Sequence, residues 1–392
     1  MRRTTRRACT NLGLFGLALL FIVGLNVHAS SSKTFAWTTI KYKTTARFLP
    51  EAHGTCPGLA DTTKPALIVS RVASDGDASW INALGDKYHL CIYDVDGSTN
   101  GNPTQLRVPA NRGHEAMAYL TFLIDNYDNI PAEGAVFVHG SRFAWHNDSP
   151  KYDNAELLAA LNTTSALASS GYHNLRCDWT ASTCPADSVA QGSFETGLTA
   201  KLEPFNSRVV SDAAMPRALA SIFGGGSGSD SSSSSSSGTL LGRGDAVKSQ
   251  CCAQFVVARA NIHQHSREEY VSLRQWLLDA GSNPNSAPLD DRISGRILSY
   301  LWHILFLPQQ GYAPRPSAGL HEAGSVNLDR LNLMACPSAA ECYCRLYGRC
   351  GLDGQCTEGQ CRGQYALPSD YKLPEDWGRT HAGEHDGLRR RG

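Results

Sequence analysis

Several side chains that can carry out acid–base or metal chemistry follow one apolar stretch near the middle of the chain. Residues 135–138 (AVFV) form an unbroken apolar run, which is typical of a strand buried on both faces. The polar and aromatic side chains that follow it are His139, Arg142, Trp145, His146 and Asp148. Histidine can act as a base near neutral pH, and arginine can clamp a phosphate. We therefore predict catalytic roles for His139 and His146. Arg142 and Trp145 are predicted to bind substrate, and Asp148 to bind a metal. The alternative is that His139 satisfies backbone groups while the loop only covers the sheet.

A second candidate metal site follows another predicted strand. Asp94 and Asp96 come directly after the apolar residues 89–93, and two carboxylates are suitable ligands for Mg²⁺ or Mn²⁺. We predict that both bind a metal together with Asp148. The alternative is a solvated turn, because two aspartates separated by one residue are a common string.

The third candidate is the start of a predicted helix. Asn111 is a good N-cap residue, and the backbone dipole at a helix amino terminus favours an anion. We predict that Asn111 and Arg112 bind substrate there and that Glu115 is a general base. The alternative is a plain cap in which Glu115 pairs with Arg112. Gln254 is predicted to reach the same cleft as a substrate-binding residue.

The order of the predicted elements indicates an α/β fold. Apolar runs at 66–70, 89–93, 135–138 and 253–258 alternate with segments of helical periodicity, which is typical of a mostly parallel, Rossmann-like sheet with flanking helices. We place this α/β domain at 65–310. A Ser/Gly-rich insert at 224–238 has no apolar residue to bury and is predicted to be disordered. His303 lies in the apolar segment 293–307, predicted as one helix, and is expected to be a satisfied core residue.

The first residues predict entry into the secretory pathway. Four arginines precede the apolar run 12–27, so residues 1–33 are either a cytoplasmic tail with a signal anchor or a cleaved signal peptide. We favour the anchor, which predicts a type II single-pass membrane protein of the Golgi or another endomembrane. The alternative is a secreted protein. Residues 34–64 are polar and irregular, and we interpret them as a stem.

Cysteine usage agrees with an oxidising compartment. The chain has 13 cysteines, and setting aside Cys9 leaves an even number, which indicates disulfides more strongly than a zinc site. Cys177 and Cys184 bracket a short loop and are predicted as a candidate pair. Six cysteines crowd into 336–361, so we interpret 311–362 as a disulfide-rich module and 363–392 as a polar tail. Asn147 and Asn162 begin glycosylation sequons.

Charge and missing motifs exclude several classes of function. Lys+Arg and Asp+Glu both number 36, so there is no basic excess for nucleic acid. The sequence has no nucleophile elbow, HExxH motif or P-loop, which argues against serine hydrolases, zincins and nucleoside triphosphatases.

Five sequence blocks resemble a fungal family known as domain of unknown function 3431. They occur in the order NRGHEAMAYLTFLIDNYDNIP, FVHGSRFAWHND, CCAQFVVARANI, SYLWHILF and CYCRLYGRC. The family brings no settled activity with it. Its blocks are distantly similar to nucleotide-sugar glycosyltransferases of the single-Rossmann type, and that similarity implies a fold and a substrate class by analogy alone.

Two functional hypotheses follow from the sequence. The first is a metal-assisted, glycosyltransferase-like enzyme that uses Mn²⁺ or Mg²⁺, a sugar nucleotide and a glycan acceptor. The second is a non-catalytic, disulfide-braced secreted or cell-surface module that binds carbohydrate or protein through the same cleft.

Overall fold

The computed structural model describes residues 3–27, 33–44, 46–97, 106–144, 146–149, 151–224, 238–308, 324–352 and 354–361. The strands in this part of the chain are β1 (Thr34–Phe35), β2 (Ala66–Arg71), β3 (His89–Asp94), β4 (Leu106–Arg107), β5 (Ala135–His139), β6 (Tyr172–Asn174), β7 (Phe255–Val257) and β8 (Val326–Asn327). The α-helices are α1 (Arg3–Val27), α2 (Ser79–Asn82), α3 (Glu115–Asp125), α4 (Asn154–Ala160), α5 (Thr163–Leu167), α6 (Phe194–Leu202), α7 (Ser207–Gly224), α8 (Arg259–Ile262), α9 (Arg267–Leu278), α10 (Asp291–Ser299), α11 (Trp302–Phe306), α12 (Leu328–Ala335) and α13 (Ala339–Tyr347).

A mostly parallel sheet of six strands organises the fold. Its strand order is β4-β3-β2-β5-β7-β6, with the first four strands parallel and β7 antiparallel to both of its neighbours. The apolar runs predicted as strands at 66–70, 89–93 and 135–138 lie within β2, β3 and β5. The mixed α/β class predicted from the sequence is therefore confirmed. The carboxyl ends of the four parallel strands meet at one edge, where the amino-terminal end of β7 also arrives.

The two faces of the sheet bury different helices. Ile68, Tyr93 and Phe137 share one face and pack in the core with the apolar side of α3 and α9. Leu67 and Val138 point to the other face and pack with residues of α4 and α13. Side chains alternate across a strand, so each residue near the carboxyl edge can be assigned to one of these two faces.

Residues 34–64 do not form the predicted stem. Trp37 is fully buried, and Tyr42 is almost so, in the core on the α3 face. β1 pairs with β8 in a separate two-stranded sheet, and a disulfide joins Cys56 to Cys91 of β3. A few aromatic and apolar residues spread through a polar sequence are enough to fix this segment, because each buries a large apolar area.

The carboxyl-terminal cysteines are part of the main domain rather than a separate module. Disulfides join Cys177 to Cys342 and Cys184 to Cys336, so the predicted pairing of Cys177 with Cys184 was wrong. The other bonds in this region are Cys344–Cys350 and Cys356–Cys361. Tyr343 of α13 is fully buried beneath the sheet. Six disulfides among the described residues are consistent with a secretory or extracellular environment.

Several helices differ from their predicted bounds. The segment 293–307 forms two helices, α10 and α11, which separate at Tyr300 and Leu301. The capping box at Ser266 and Glu269 opens α9 as predicted. His303 is buried as expected, but neither ring nitrogen has a hydrogen-bond partner within the described residues, so it is not a satisfied core histidine.

Two predictions concern regions that the structure describes only in part or not at all. Residues 225–237 of the serine-rich insert and the tail 363–392 lie outside the described residues.

Among the residues that are described, no helix combines the length and the apolar character needed to cross a membrane.

Candidate active site

The amino terminus of α3 is built differently from the predicted N-cap. The helix begins at Glu115 rather than at Asn111, which is exposed. The two residues before it, Gly113 and His114, have φ of 69° and 53°, so the chain enters the helix from the left-handed region. The backbone N–H of Gly113 donates to Asp291 Oδ1 of α10 at 2.6 Å. A carboxylate of the protein itself therefore lies at this helix end.

Arg112 also contacts the segment that leads into α10. Its guanidinium donates to the carbonyl oxygens of Leu289 at 3.0 Å and of Pro288 at 3.3 Å. Its Nε lies 3.5 Å from Asp291 Oδ1. These contacts hold α3 against α10. The predicted anion-binding role of Asn111 and Arg112 finds no support in this geometry.

Glu115 and His139 form a pair at the carboxyl edge of the sheet. Glu115 is the first residue of α3, and His139 is the last residue of β5. Their closest atoms, Glu115 Oε2 and His139 Nδ1, are 3.9 Å apart, and the two side chains are 14% and 22% exposed. His139 is in register with Ser70 of β2 and points to the face covered by α3. The structure thus brings together two residues that the sequence predicted as acid–base groups on separate elements.

The backbone of residues 252–254 fixes the orientation of His139. His139 Nε2–H donates to the carbonyl oxygen of Cys252 at 2.7 Å, and the backbone N–H of His139 donates to Gln254 Oε1 at 3.3 Å. A carbonyl oxygen can only accept, so Nε2 carries a proton in this arrangement. Nδ1 is then the nitrogen that can take up or release a proton, and it is the one that faces Glu115.

His146 packs against His139. Their ring centroids are 4.8 Å apart with an interplanar angle of 71°, and His146 is half-buried. The three residues predicted as catalytic, Glu115, His139 and His146, therefore form one cluster. No shared cluster was evident from their sequence positions, which place them on a helix, a strand and a loop.

Gln254 lies beside His139, but its side chain makes its hydrogen bonds within the protein. It is buried, its Oε1 also accepts from Asn154 Nδ2 at 3.2 Å, and its Nε2 donates to Asn147 Oδ1 at 2.9 Å. Asn147 Nδ2 in turn donates to the carbonyls of Arg142 and Tyr152. This amide network holds the loop after β5 against β7. Asn154 was missed by sequence reasoning, because its role depends on a contact with Gln254, which lies 100 residues further along the chain.

Arg142 forms an ion pair within the same loop. Its Nε and Nη2 donate to the carboxylate of Asp153, the shortest distance being 2.9 Å, and 47% of its side chain remains exposed. Asp153 also caps α4 by accepting from the N–H of Ala155. Arg142 can therefore reach solvent while remaining paired. Trp145, predicted to bind substrate beside it, lies outside the described residues.

Asp148 faces the interior rather than the predicted metal site. Its Oδ2 accepts from the backbone N–H of Cys177 at 2.6 Å, and it is surrounded by Arg176, Asp178 and Tyr343. Burial raises the pKa of Asp148 to about 6, against the lowering effect of Arg176. The buried polar groups around it fix the loop to α13.

Asp94 lies on the opposite face of the sheet from His139. It is in register with Arg71 of β2 and Arg107 of β4, whereas His139 is in register with Ser70. Asp96 Oδ2 accepts from the backbone N–H of Ala73 at 2.8 Å. Arg71, Asp94 and Arg107 therefore form a row at the carboxyl edge, on the face of the sheet opposite His139.

The predicted three-carboxylate metal set does not assemble. Within the described residues, the only three potential ligands whose donor atoms lie close together are Cys56, His89 and Cys91. Both of those cysteines are in a disulfide with each other, so they cannot act as thiolate ligands. Asp94, Asp96 and Asp148 therefore do not fit one metal, and no reaction step is assigned to a metal ion.

Comparison with protein families identifies the chain. A family described as "Protein of unknown function (DUF3431)" matches residues 67–345, which is more than half of the sequence. The chain belongs to this family. The DUF3431 match runs from β2 to α13 and includes Glu115, His139, His146 and Gln254. Neither the curated proteins nor the solved structures gave a match.

The cluster of this DUF3431 chain can carry out proton transfer. An imidazole with one nitrogen anchored and the other facing a carboxylate can accept a proton from a hydroxyl, and the carboxylate stabilises the resulting positive charge. Glu115 and His139 are each mostly buried, but both side chains keep some contact with solvent.

Proposed function

We propose that this protein is an acid–base enzyme in which His139 and Glu115 deprotonate a substrate hydroxyl. The observation that carries the proposal is the 3.9 Å approach of Glu115 Oε2 to His139 Nδ1 at the carboxyl edge of the parallel strands. Ligand sites in open α/β sheets lie at that edge, where loops and helix amino termini converge.

The proton path follows from the hydrogen bonds of the imidazole. His139 Nε2–H stays bonded to the Cys252 carbonyl, and Nδ1 takes the hydroxyl proton. Glu115 then faces the imidazolium and stabilises its charge. His146, packed against the ring of His139, limits its rotation. This arrangement suits a reaction in which a hydroxyl attacks an electrophilic carbon.

For the substrate we propose a sugar nucleotide as donor and a glycan hydroxyl as acceptor. Transfer of a glycosyl group requires deprotonation of the acceptor and accommodation of an anionic leaving group. Arg71 and Arg107 end the two parallel strands on either side of β3, and guanidinium groups suit a diphosphate. Both lie on the face opposite His139, so the donor is proposed to cross the carboxyl edge of the sheet, with its diphosphate on one side and its sugar at the base. A Rossmann-like relationship to glycosyltransferases is part of this proposal. Asp94 and Asp96 stay predicted ligands for Mn²⁺ or Mg²⁺, with no step assigned to the ion.

We propose a secretory-pathway location, with residues 1–33 as a Golgi-type signal anchor or, alternatively, a cleaved signal peptide. In that compartment the two sequons differ in accessibility. Asn147 is 1% exposed and its Nδ2 donates to two backbone carbonyls, whereas Asn162 is exposed at the start of α5, where its Oδ1 caps the helix. We therefore propose a glycan on Asn162 and none on Asn147. Endoglycosidase treatment should shift the mass of wild type and of Asn147→Gln, but not that of Asn162→Gln.

The test of function is turnover of sugar nucleotides by the full chain. A panel of UDP- and GDP-sugars, with and without Mn²⁺, is assayed for nucleoside diphosphate release. We expect at least one donor to be turned over and His139→Gln to abolish that turnover with the melting temperature kept. Gln retains a donor for the Cys252 carbonyl but cannot act as the base. His263→Gln is the matched control, because His263 Nε2 also contacts a backbone carbonyl, that of Tyr127.

Two outcomes would reject the proposal. One is turnover that survives His139→Gln at the wild-type rate. The other is no turnover and no rise in melting temperature across the panel, since a ligand that binds only the folded state must raise it. The second outcome favours the non-catalytic carbohydrate- or protein-binding module.

A further inference from the structure

Two adjacent cysteines lie directly beside the proposed base. Cys251 and Cys252 precede β7, and the structure joins them to each other as a vicinal disulfide. The other ten cysteines of the described domain are paired among themselves. In an oxidising compartment, Cys251 and Cys252 are therefore left to pair with each other.

The turn that carries this disulfide also supplies both anchors of His139. Cys252 gives the carbonyl that accepts from His139 Nε2–H, and Gln254 gives the side-chain oxygen that accepts from the His139 backbone N–H. The two residues between which the chain turns, Cys252 and Ala253, have φ of 87° and 47°. Non-glycine residues adopt such values only where the surroundings impose them.

We propose that the Cys251–Cys252 disulfide is a positioning element that holds the Cys252 carbonyl against His139. The proposal rests on the proposed function of the same site. A disulfide between neighbouring residues closes a small ring that includes the peptide bond between them, so it restricts rotation at both residues. With the ring closed, the Cys252 carbonyl points at His139 and keeps the proton on Nε2, which leaves Nδ1 as the base.

Opening the ring removes this restriction. Reduction by a dithiol transfers two electrons and two protons to the sulfur–sulfur bond, giving two cysteine thiols and a disulfide in the reductant. Cys252 and Ala253, the two residues with positive φ, can then return to ordinary φ values. The Cys252 carbonyl leaves the imidazole, and His139 is free to carry its proton on either nitrogen.

Peptide mapping tests the bond itself. Trypsin cleavage after Lys248 and Arg259 releases a peptide whose only cysteines are Cys251 and Cys252. After alkylation of the denatured, unreduced full-length protein, we expect this peptide to be unalkylated and lighter than the dithiol form by two hydrogen atoms. A doubly alkylated peptide, or one linked to a different peptide, would overturn the proposal.

Nitrogen NMR of the imidazole rings tests the positioning role. In wild type, long-range ¹H–¹⁵N spectra should show His139 with its proton on Nε2 only. Cys251→Ala/Cys252→Ala should lose this single-tautomer signature. Alanine keeps the strain of a positive φ, so Cys251→Ala/Cys252→Gly is the second variant should the first fail to fold, because glycine tolerates that φ. The control is Cys356→Ala/Cys361→Ala, which removes another short-range disulfide and should leave the His139 signals unchanged.

The result that contradicts the positioning role is a folded double variant whose His139 signals match those of wild type. Failure of this proposal is separate from failure of the proposed function. The mapping and the NMR spectra require no substrate, whereas the proposed function depends on turnover by wild type and His139→Gln.

Discussion

His139 acquires its proposed role from its contacts. Its type and its place after a buried strand were enough to predict a reactive residue, and Glu115 was predicted as a base on its own. What the sequence could not reveal is that the two meet, because the contact depends on the entry angle of α3. That angle is set by the left-handed residues Gly113 and His114 and by the carboxylate of Asp291, which contacts the helix end from α10.

Asp148, by contrast, makes contacts that do not match its predicted role as a metal ligand. A carboxylate close in sequence to two histidines predicted a metal ligand, yet the side chain turns inward to the N–H of Cys177. The bond that holds residue 177 near α13 is the Cys177–Cys342 disulfide. A cysteine far along the chain therefore decides the environment of Asp148, and local sequence patterns carry no information about it.

Replacing Asp148 with Asn should change how stability depends on pH. Burial raises the pKa of Asp148 from 3.8 in the unfolded chain to about 6 in the folded protein. Its contribution to stability is therefore fully present below pH 3.8 and is lost as the pH rises through about 6. Relative to wild type, Asp148→Asn should gain up to about 3 kcal/mol between pH 3.8 and pH 7. Urea unfolding at a series of pH values measures this difference.

The control for this prediction is Asp187→Asn, since Asp187 is exposed. Its stability relative to wild type should be nearly the same at both ends of the pH range. If Asp148→Asn shows no gain on raising the pH, the buried carboxyl is not protonated near pH 6.

At the scale of elements, the sequence predicted the strands that form the centre of the sheet. The runs that became β2, β3 and β5 are continuous and mostly apolar; β2 and β5 are buried on both faces, and β3 is mostly buried on one and partly on the other. Helices without a regular pattern of buried residues were either not predicted or predicted with other bounds. α7 contains Pro216 and has no clear apolar stripe, and α13 was obscured by its two cysteines. Tertiary contacts, rather than local periodicity, stabilise these helices.

Gly140 is the residue on which the approach of β5 to β2 depends. A Cβ atom at this position would lie 2.5 Å from Arg71 Cβ and 2.5 Å from Asp75 Oδ2. Gly140→Ala should therefore force the two strand ends apart and break the hydrogen bond from Ser141 Oγ to Asp75 Oδ1. We expect a loss of roughly 1–3 kcal/mol in the free energy of unfolding, as for other overpacked sites.

Gly197→Ala is the matched control, because nothing lies within 4 Å of a Cβ at that helical position. It should stabilise the protein by about 0.5–1 kcal/mol, since alanine favours a helix over glycine. Equal effects of the two substitutions on chemical denaturation would show that Gly140 is not tightly packed.

For the molecule as a whole, the sequence predicted disulfides and an oxidising compartment, but it did not predict which cysteines pair. The bonds Cys177–Cys342 and Cys184–Cys336 span 165 and 152 residues, and they join α13 and the end of α12 to the segment that follows β6. Pairing of this kind cannot be deduced from spacing. The same long-range packing brings Trp37 and Tyr42 into the core, although a polar sequence surrounds them.

Removing the Cys177–Cys342 bond should cost more stability than removing Cys356–Cys361. The chain-entropy effect of a cross-link grows with loop length. Because Cys184–Cys336 already joins the same two segments, Cys177–Cys342 closes a loop of roughly 13 residues, against 5 for Cys356–Cys361. Alanine pairs should lower the free energy of unfolding by about 3 and about 2 kcal/mol respectively. Chemical denaturation of the two variants tests this, and similar losses would mean that loop length does not control the effect.

Glu115 and His139 are proposed to act as one acid–base unit, and a double-mutant cycle measures whether they do. The value of kcat/KM for the fastest sugar nucleotide is measured for Glu115→Gln, for His139→Gln and for the double variant. We expect kcat/KM to fall roughly 10²- to 10⁴-fold for His139→Gln. We also expect the double variant to be no worse than His139→Gln alone, because the carboxylate acts through the imidazole. A double variant whose loss equals the product of the two single losses would contradict the claim, because the two residues would then act independently.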